Sequence, residues 1–240
     1  MNLVCTLSIY PKDIPPIQRR ALELGLKTIK EYAEKCGADF KAITESKNLG
    51  SHIAYEKFQM NDFVNDYDRV LYIDNDIIIH PNCENLFQTY KEDCFYGLEE
   101  GDEFIDFFHS KSRLYEDIQS KNGSITWKKG PKGNFIYYNT GMFLFSKQCN
   151  PFSLYDKQEA TFVDTYFEQT YINYLLQKYN IRTHRIECKH NYMLCFIRKY
   201  GWGIDNIIHF AGNGWSNTYN KNRWECMVEY YNKSYNIGRY

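Results

Sequence analysis

Two spacings of apolar residues alternate along the chain. Leu3–Ile9 is a short apolar run and reads as a first strand. Ile17, Ala21, Leu24, Ile29, Tyr32 and Ala33 then recur every three or four positions, which predicts a helix over 17–36 that Gly37 would stop. Asp39–Ile43 reads as a second strand and Ser51–Val64 as a second helix. Arg69–Ile79 is rich in β-branched residues and is predicted as one central buried strand. Further strands are expected at Cys94–Leu98, Thr183–Ile186 and Ile207–Ala211, and a helix at Phe162–Tyr179. Phe135–Ser146 reads as a strand pair or a bent strand broken by Gly141. Residues 99–134 are polar and lack a clear period, so they are expected to form a long excursion. The early strand–helix–strand alternation predicts an α/β fold, with a mostly parallel sheet flanked by helices, in one domain over residues 1–240. Sheets of that kind bind ligands at the carboxyl ends of their strands.

The central apolar run carries charge where charge is costly. It reads Arg-Val-Leu-Tyr-Ile-Asp-Asn-Asp-Ile-Ile-Ile from position 69. Ionised carboxylates are not buried unless something charged meets them. Asp74 and Asp76, two apart at the end of a buried strand, are therefore a candidate site for a divalent cation. Mg²⁺ and Mn²⁺ favour such oxygen ligands and commonly share them with a phosphate. On its own the triplet leaves two further readings open. One is a pair of turn and capping acids. The other is the nucleophile of a haloacid-type phosphohydrolase, which also follows an apolar strand but has Thr or Val where this chain has Ile78.

Composition narrows the partners. The chain holds 29 basic and 30 acidic residues, a balance unlike that of a dedicated nucleic-acid binder. No apolar run approaches the roughly 20 residues that cross a bilayer, and no secretory signal is visible near Met1. Eight cysteines occur without a Cys-x-x-Cys pair, which speaks against a zinc ribbon and fits free thiols in the cytoplasm. Aromatics make up 18% of the chain; part of this is core, the larger share of the rest fits a compositional drift toward Lys, Asn, Ile and Tyr, and some could stack on sugar rings or bases. Trp202 and Trp215, beside glycine-rich loops, are candidates. Glu99, Glu100 and Asp102 form a charge run expected to be solvated.

Five segments in order raise the triplet above chance. They are the Lys57 segment (Ser-His-Ile-Ala-Tyr-Glu-Lys-Phe from 51), the Asp74-Asn75-Asp76 strand and Tyr-Tyr-Asn-Thr-Gly from 137. Glu-Gln-Thr-Tyr from 168 and Ile-Ile-His-Phe-Ala-Gly from 207 complete the set. Together they resemble the nucleotide-sugar glycosyltransferases of the GT-A fold, most closely family 8, which includes glycogenin and bacterial lipopolysaccharide galactosyl- and glucosyltransferases. The resemblance spans roughly residues 1–215. It implies a metal-dependent, retaining transfer of a hexose from a UDP-sugar to a glycan, protein or lipid-linked acceptor. It implies Mn²⁺, with Mg²⁺ as the alternative, held by Asp74, Asp76 and His209. Thr6, Ser8 and Tyr10 would hold the base, and Asp74 and Asn75 would lie near the ribose. Asn139, Thr140, Gly141 and Gly212 would line the donor. Glu168 would bind sugar hydroxyls and Gln169 would lie beneath the anomeric carbon. Lys57 would touch the sugar or diphosphate.

The pattern also departs from that family. A phosphate-binding Lys is expected three residues after Gly212, where this chain has Trp215; Lys199 and Lys221 are the candidate substitutes. Glu168 stands where the family has Asp. A related GT-A family of plant and fungal retaining transferases shares the Asn-Thr-Gly and His-Phe-x-Gly wording. An inactive, GT-A-like binding module is the alternative from another class. The acceptor is not legible; 99–134 and 213–240 are the segments expected to shape its pocket.

Overall fold

The structure, a computed structural model, describes residues 1–100, 127–160, 166–202, 207–212 and 214–235. Nine strands run in the order β1 (Asn2–Leu7), β2 (Asp39–Ile43), β3 (Arg69–Ile73), β4 (Ile77–Ile79), β5 (Phe95–Glu99), β6 (Tyr138–Ser146), β7 (Thr183–Arg185), β8 (Tyr192–Met193) and β9 (Ile207–His209) among the described residues. Backbone contacts divide the chain into two units. One comprises Met1–Thr44, Leu71–Lys91 and Glu187–Tyr240, and the other Glu45–Val70 and Glu92–Ile186.

In the first unit β1 pairs in parallel with β2, and a separate small sheet has the order β4-β9-β8. The Pro16–Cys36 helix, α1, packs on these strands. Its Ala21, Leu24, Ile29, Tyr32 and Ala33 are buried at the predicted period, and Gly37 ends it at φ 62°, a left-handed conformation that glycine adopts without cost. The Arg223–Tyr235 helix packs along α1, where Lys27 Nζ donates to the Tyr231 hydroxyl at 2.7 Å. Its last residue, Tyr235, donates to the Ile79 carbonyl of β4 at 2.8 Å.

In the second unit β5 lies between β6 (antiparallel) and β7 (parallel). Phe58, Phe143, Phe145, Phe152 and Tyr171 form its aromatic core. The Phe167–Lys178 helix is locked to β6 by Asn173, whose side chain accepts from Tyr138 N at 2.7 Å and donates to Tyr138 O at 2.8 Å.

The α/β alternation stands as read, but several elements differ from expectation. Arg69–Ile79 is two strands, not one. Asp74-Asn75-Asp76 turns the chain between them, because carboxylates do not fit inside a buried ladder. Residues 51–64 were expected as an α-helix and contain a 3₁₀ segment, Ile53–Asp62. Its residues Tyr55–Met60 are all buried, a run that a one-sided helix cannot bury. β6 is one fully buried strand, but its pairing with β5 is interrupted around Gly141: Gly97 faces Phe143 and the next residue, Leu98, faces Asn139, so residues 140–142 of β6 bulge out of the ladder. The predicted helix over 162–179 is Phe167–Lys178; positions 161–165 lie outside the described residues, as do 101–126 of the expected excursion. The helices Leu194–Tyr200 and Arg223–Tyr235 were not anticipated.

Candidate functional site

The turn after β3 and the end of β9 build one cluster in the first unit. β4 pairs antiparallel with β9, with Ile77 opposite His209. The ladder is extended by Phe210 N donating to Asp76 O at 2.9 Å. Asp76 and His209 thereby become neighbours although 132 intervening residues separate them in sequence. One potential ligand atom from each of Asp74, Asp76 and His209 lies within 4.8 Å of the others. His209 is buried, and its Nδ1 donates to Asn191 Oδ1 at 2.9 Å. In a neutral ring that bond makes Nε2 the lone-pair nitrogen, and Nε2 faces Asp76 Oδ1 at 3.3 Å. A cation between a neutral imidazole and this carboxylate would be held by both. Two carboxylates and an imidazole whose other nitrogen is held by an outer partner are a donor set suited to Mn²⁺ or Mg²⁺. The residues present thus fit the implied metal.

Neighbouring groups hold the acids. Tyr72, two residues before Asp74 on the same strand face, donates its hydroxyl to Asp74 Oδ1 at 2.5 Å. Arg223 Nη1 lies 3.4 Å from Asp76 Oδ2. Gly25 of α1 lets the helix approach the turn, since a Cβ there would meet the carbonyl oxygens of Asn75 and Ile77.

The end of β1 brings three predicted residues together. The Tyr10 hydroxyl accepts from Ser8 Oγ at 2.7 Å and from Asn75 Nδ2 at 2.8 Å, which ties the strand end to the acid turn. Burial, offset in part by these two bonds, raises the Tyr10 phenol above its usual value. Thr6 is fully buried, and its hydroxyl has no hydrogen-bond partner among the described residues. Gly212 adopts φ 76° with open space around its α-carbon, so conformation and not room favours glycine there.

A second cluster lies in the other unit. Lys57 and Glu168 are both buried, with Lys57 Nζ at 2.8 Å from Glu168 Oε1 and 2.9 Å from the Thr140 carbonyl. Thr140 Oγ1 also donates to Glu168 Oε1, at 3.2 Å. Gln169 is held at both ends of its amide: Oε1 accepts from Asn139 Nδ2 and Thr140 N, each at 3.2 Å, and Nε2 reaches Glu100 Oε2 at 3.4 Å. Asn139 Oδ1 accepts from Gly141 N at 2.9 Å. Six predicted residues (Lys57, Asn139, Thr140, Gly141, Glu168 and Gln169) are thus joined in one network. Tyr166 and Phe167, immediately before Glu168, have φ of 57° and 45°, in the left-handed region that bulky residues rarely adopt. His52 stacks on the Phe167 ring at 4.1 Å and 7°. Such strain clusters where a structure must hold a functional residue in place.

Other expectations fall differently. Glu99 and Glu100 are buried, not solvated, and Glu100 Oε1 accepts from Asn139 Nδ2 at 3.0 Å; Asp102 lies outside the described residues. Trp215 is buried, its indole donating to Ala211 O at 3.2 Å and stacking on Phe210, so it is core and no sugar platform. Trp202 keeps 41% exposure while stacking on Tyr230. The two candidate substitutes for the missing Lys have partners of their own. Lys221 pairs with Glu229 at 2.6 Å, and Lys199 lies over the Tyr200 ring. One cation beside Asp76 is Arg223, which the sequence reading missed. Asn222-Arg223-Trp224-Glu225 carries the Asn-x-x-Glu signature of a helix start that points to it. Asn191 and Tyr72 were also missed. Tyr72 follows from strand alternation, whereas nothing local marks Asn191.

The sequence model of glycosyl transferase family 8 matches residues 4–214. Galactinol synthase 5 and galactinol synthase 6 of Arabidopsis thaliana are each 26% identical over 172 residues, 68% of this chain and 49% of theirs. The chain therefore spans about half the length of these curated relatives. Among solved structures, the galactosyltransferase LgtC, in complex with donor and acceptor sugar analogues, superimposes with a TM-score of 0.59 at 13% identity, covering 98% of this chain and 96% of that one. A glycosyltransferase involved in glycosylation of the major capsid of PBCV-1 gives 0.57 at 15% identity, covering 94% and 98%. At these identities the likeness shows the fold, an α/β architecture with a mostly parallel central sheet.

Proposed function

Because the chain belongs to glycosyl transferase family 8, we propose that it is a metal-dependent, retaining glycosyltransferase. It moves a hexose from a UDP-sugar to a hydroxyl of a saccharide, glycoprotein or lipid-linked acceptor. The observation that carries this reading is the Asp74–Asp76–His209 cluster, with an imidazole turned by Asn191 so that its free nitrogen faces a carboxylate. When bound there, Mn²⁺ or Mg²⁺ supplies Lewis-acid stabilisation of a diphosphate leaving group.

The chain's own residues supply the rest. Ser8, Tyr10 and Asn75 form one hydrogen-bonded group that suits a base and ribose, and the buried Thr6 hydroxyl is a further polar contact for them. Asp74, steadied by Tyr72, is shared between ribose and cation in this reading, and Gly212 gives the donor side a bare backbone. Glu168 binds sugar hydroxyls, and Lys57 fixes Glu168 by pairing with it. Gln169, clamped by Asn139, Thr140 and Glu100, lies under the anomeric carbon, with Gly141 beside the sugar. An amide is a poor nucleophile, so a same-face displacement is favoured. The bond from C1 to the diphosphate oxygen breaks, the bond from C1 to the acceptor oxygen forms, and the acceptor proton goes to the leaving diphosphate. One catalytic domain over residues 1–240 is part of this proposal. Its eight thiols suit the cytoplasm, and fractionation of tagged protein into a secreted or membrane pool would count against that placement.

Two measurements test the function. UDP with Mn²⁺ should raise the melting temperature, since a ligand that binds only the folded state stabilises it. A panel of UDP-sugars with Mn²⁺ should reveal slow donor hydrolysis for at least one sugar. A thermal shift without hydrolysis or transfer for any sugar would instead favour the inactive binding module, and no shift with UDP, GDP or metal would sink both. Glu168→Gln should retain most turnover if displacement occurs on one face; near-complete loss together with a trapped glycosyl-enzyme in the parent would favour a covalent route.

A further inference from the structure

Arg223 is the first residue of the Arg223–Tyr235 helix, and its backbone is fixed by a reciprocal cap. Asn222 Oδ1 accepts from Trp224 N at 3.0 Å and Glu225 N at 3.1 Å, while Glu225 Oε2 accepts from Asn222 N at 2.8 Å. The same helix packs on α1 and reaches β4 through Tyr235, which sets its start beside the acid turn. The guanidinium lies over the Trp224 ring, 4.0 Å from its centroid, and Nη1 reaches the Phe210 carbonyl and Asp76 Oδ2, each at 3.4 Å. A charge-assisted bond that held this group permanently would be about 2.7–2.9 Å long. These contacts are longer. The side chain is one-third exposed, and among the described residues Nε and Nη2 have no hydrogen-bond partner.

Asp76 is thus shared: Oδ1 faces His209 Nε2 and Oδ2 faces Arg223. A guanidinium with spare donors beside a candidate cation site matches a diphosphate, whose oxygens accept paired N–H donors in the geometry of that fork. Resting on the UDP-sugar reading above, we propose that Arg223 is the diphosphate-binding cation of this chain, in the role left open by Trp215. Its contact with Asp76 is a resting position. When a divalent cation takes over Asp76, the guanidinium is released to the phosphates. Arg223 therefore competes with the metal in the absence of nucleotide and assists it in the presence of UDP.

The experiment measures Mn²⁺ binding alone, by electron paramagnetic resonance, and UDP and UMP binding in saturating Mn²⁺, by calorimetry, on the full chain and on Arg223→Gln and Arg223→Lys. For Arg223→Gln the expected result is tighter Mn²⁺ binding, with UDP affinity down at least about tenfold and UMP affinity reduced less; unchanged Mn²⁺ affinity would overturn the competition. Arg223→Lys keeps the charge and lacks the fork, and it should lose UDP affinity several-fold. The opposite signs separate this role from a structural one, in which both ligands would weaken together. Parallel loss of Mn²⁺ and UDP affinity overturns the proposal, as does unchanged UDP affinity in either variant. In both of those cases wild-type binding of UDP with Mn²⁺ leaves the donor reading intact. A wild-type protein that ignores UDP in Mn²⁺ brings down both.

Discussion

Gly25 and Asn75 meet backbone to backbone: a Cβ at position 25 would lie 2.1 Å from the Asn75 carbonyl oxygen and 2.8 Å from Met227 Cε. The first of these neighbours is main chain of the acid turn and cannot swing away. Gly25→Ala should displace the turn, lower stability by about 1–3 kcal/mol as overpacked cores do, and weaken Mn²⁺ binding. Chemical denaturation and Mn²⁺ titration check this. Gly37→Ala, at φ 62° with nothing near its α-carbon, is the comparison: it should lose stability without altering Mn²⁺ affinity.

Asn191 acts through His209. Removing its acceptor in Asn191→Leu frees the imidazole to change tautomer and orientation, and outer partners of metal-bound histidines are commonly worth 10–100-fold in affinity. We expect a Mn²⁺ affinity loss of about that size. Asn191→Asp, which retains an acceptor for Nδ1–H, should recover most of it. Equal losses in the two variants would mean that Asn191 supports only packing.

The Lys57–Glu168 pair is buried on both sides, with side chains 3% and 8% exposed. Removing one partner leaves a buried charge uncompensated, which costs about 3–5 kcal/mol. Lys57→Met and Glu168→Leu should each fall in that range in urea melts, and the double variant should recover much of the loss. Transferase activity should stay absent in the double variant, because stability returns there and the sugar-binding acid does not.

Glu56 predicts an acid-sensitive step. Burial alone would raise its carboxyl. Hydrogen bonds from Lys47 N, Ser46 Oγ, Leu49 N and Gln59 Nε2 outweigh burial and leave it below the usual carboxylate value. A lowered folded value means stability that is present above the unfolded carboxyl near pH 4.3 and lost as pH falls through the folded one. Glu56→Gln places an amide N–H₂ among four donors and should cost about 2 kcal/mol or more at pH 7. In urea melts run against pH, the variant should show a shallower loss of stability below about pH 4.3 than the parent. Parallel curves would remove Glu56 from the acid transition.

How far the sequence carried the reading can be seen from single residues. The period of Ala21, Leu24 and Ile29 names the buried face of α1, and Gly37 its end, because both depend on short-range geometry. The triplet at 74–76 was legible for the same reason: charge in an apolar run needs a cause. The ordered motifs around Lys57, Asn139, Glu168 and His209 brought a family with them. What the chain alone could not decide was which groups touch. Asp76 meets His209 only because β4 pairs with β9, and Asn191 turns His209 from a segment with no motif of its own. Arg223 lies beside Asp76 because a capped helix packed on α1 and bonded to β4 starts there. Glu100 reads as a solvated charge until Asn139 and Gln169 converge on it. Local periods and residue chemistry are properties of neighbours in sequence. Pairings across the chain depend on strand register and helix packing, and those are settled only when the fold closes.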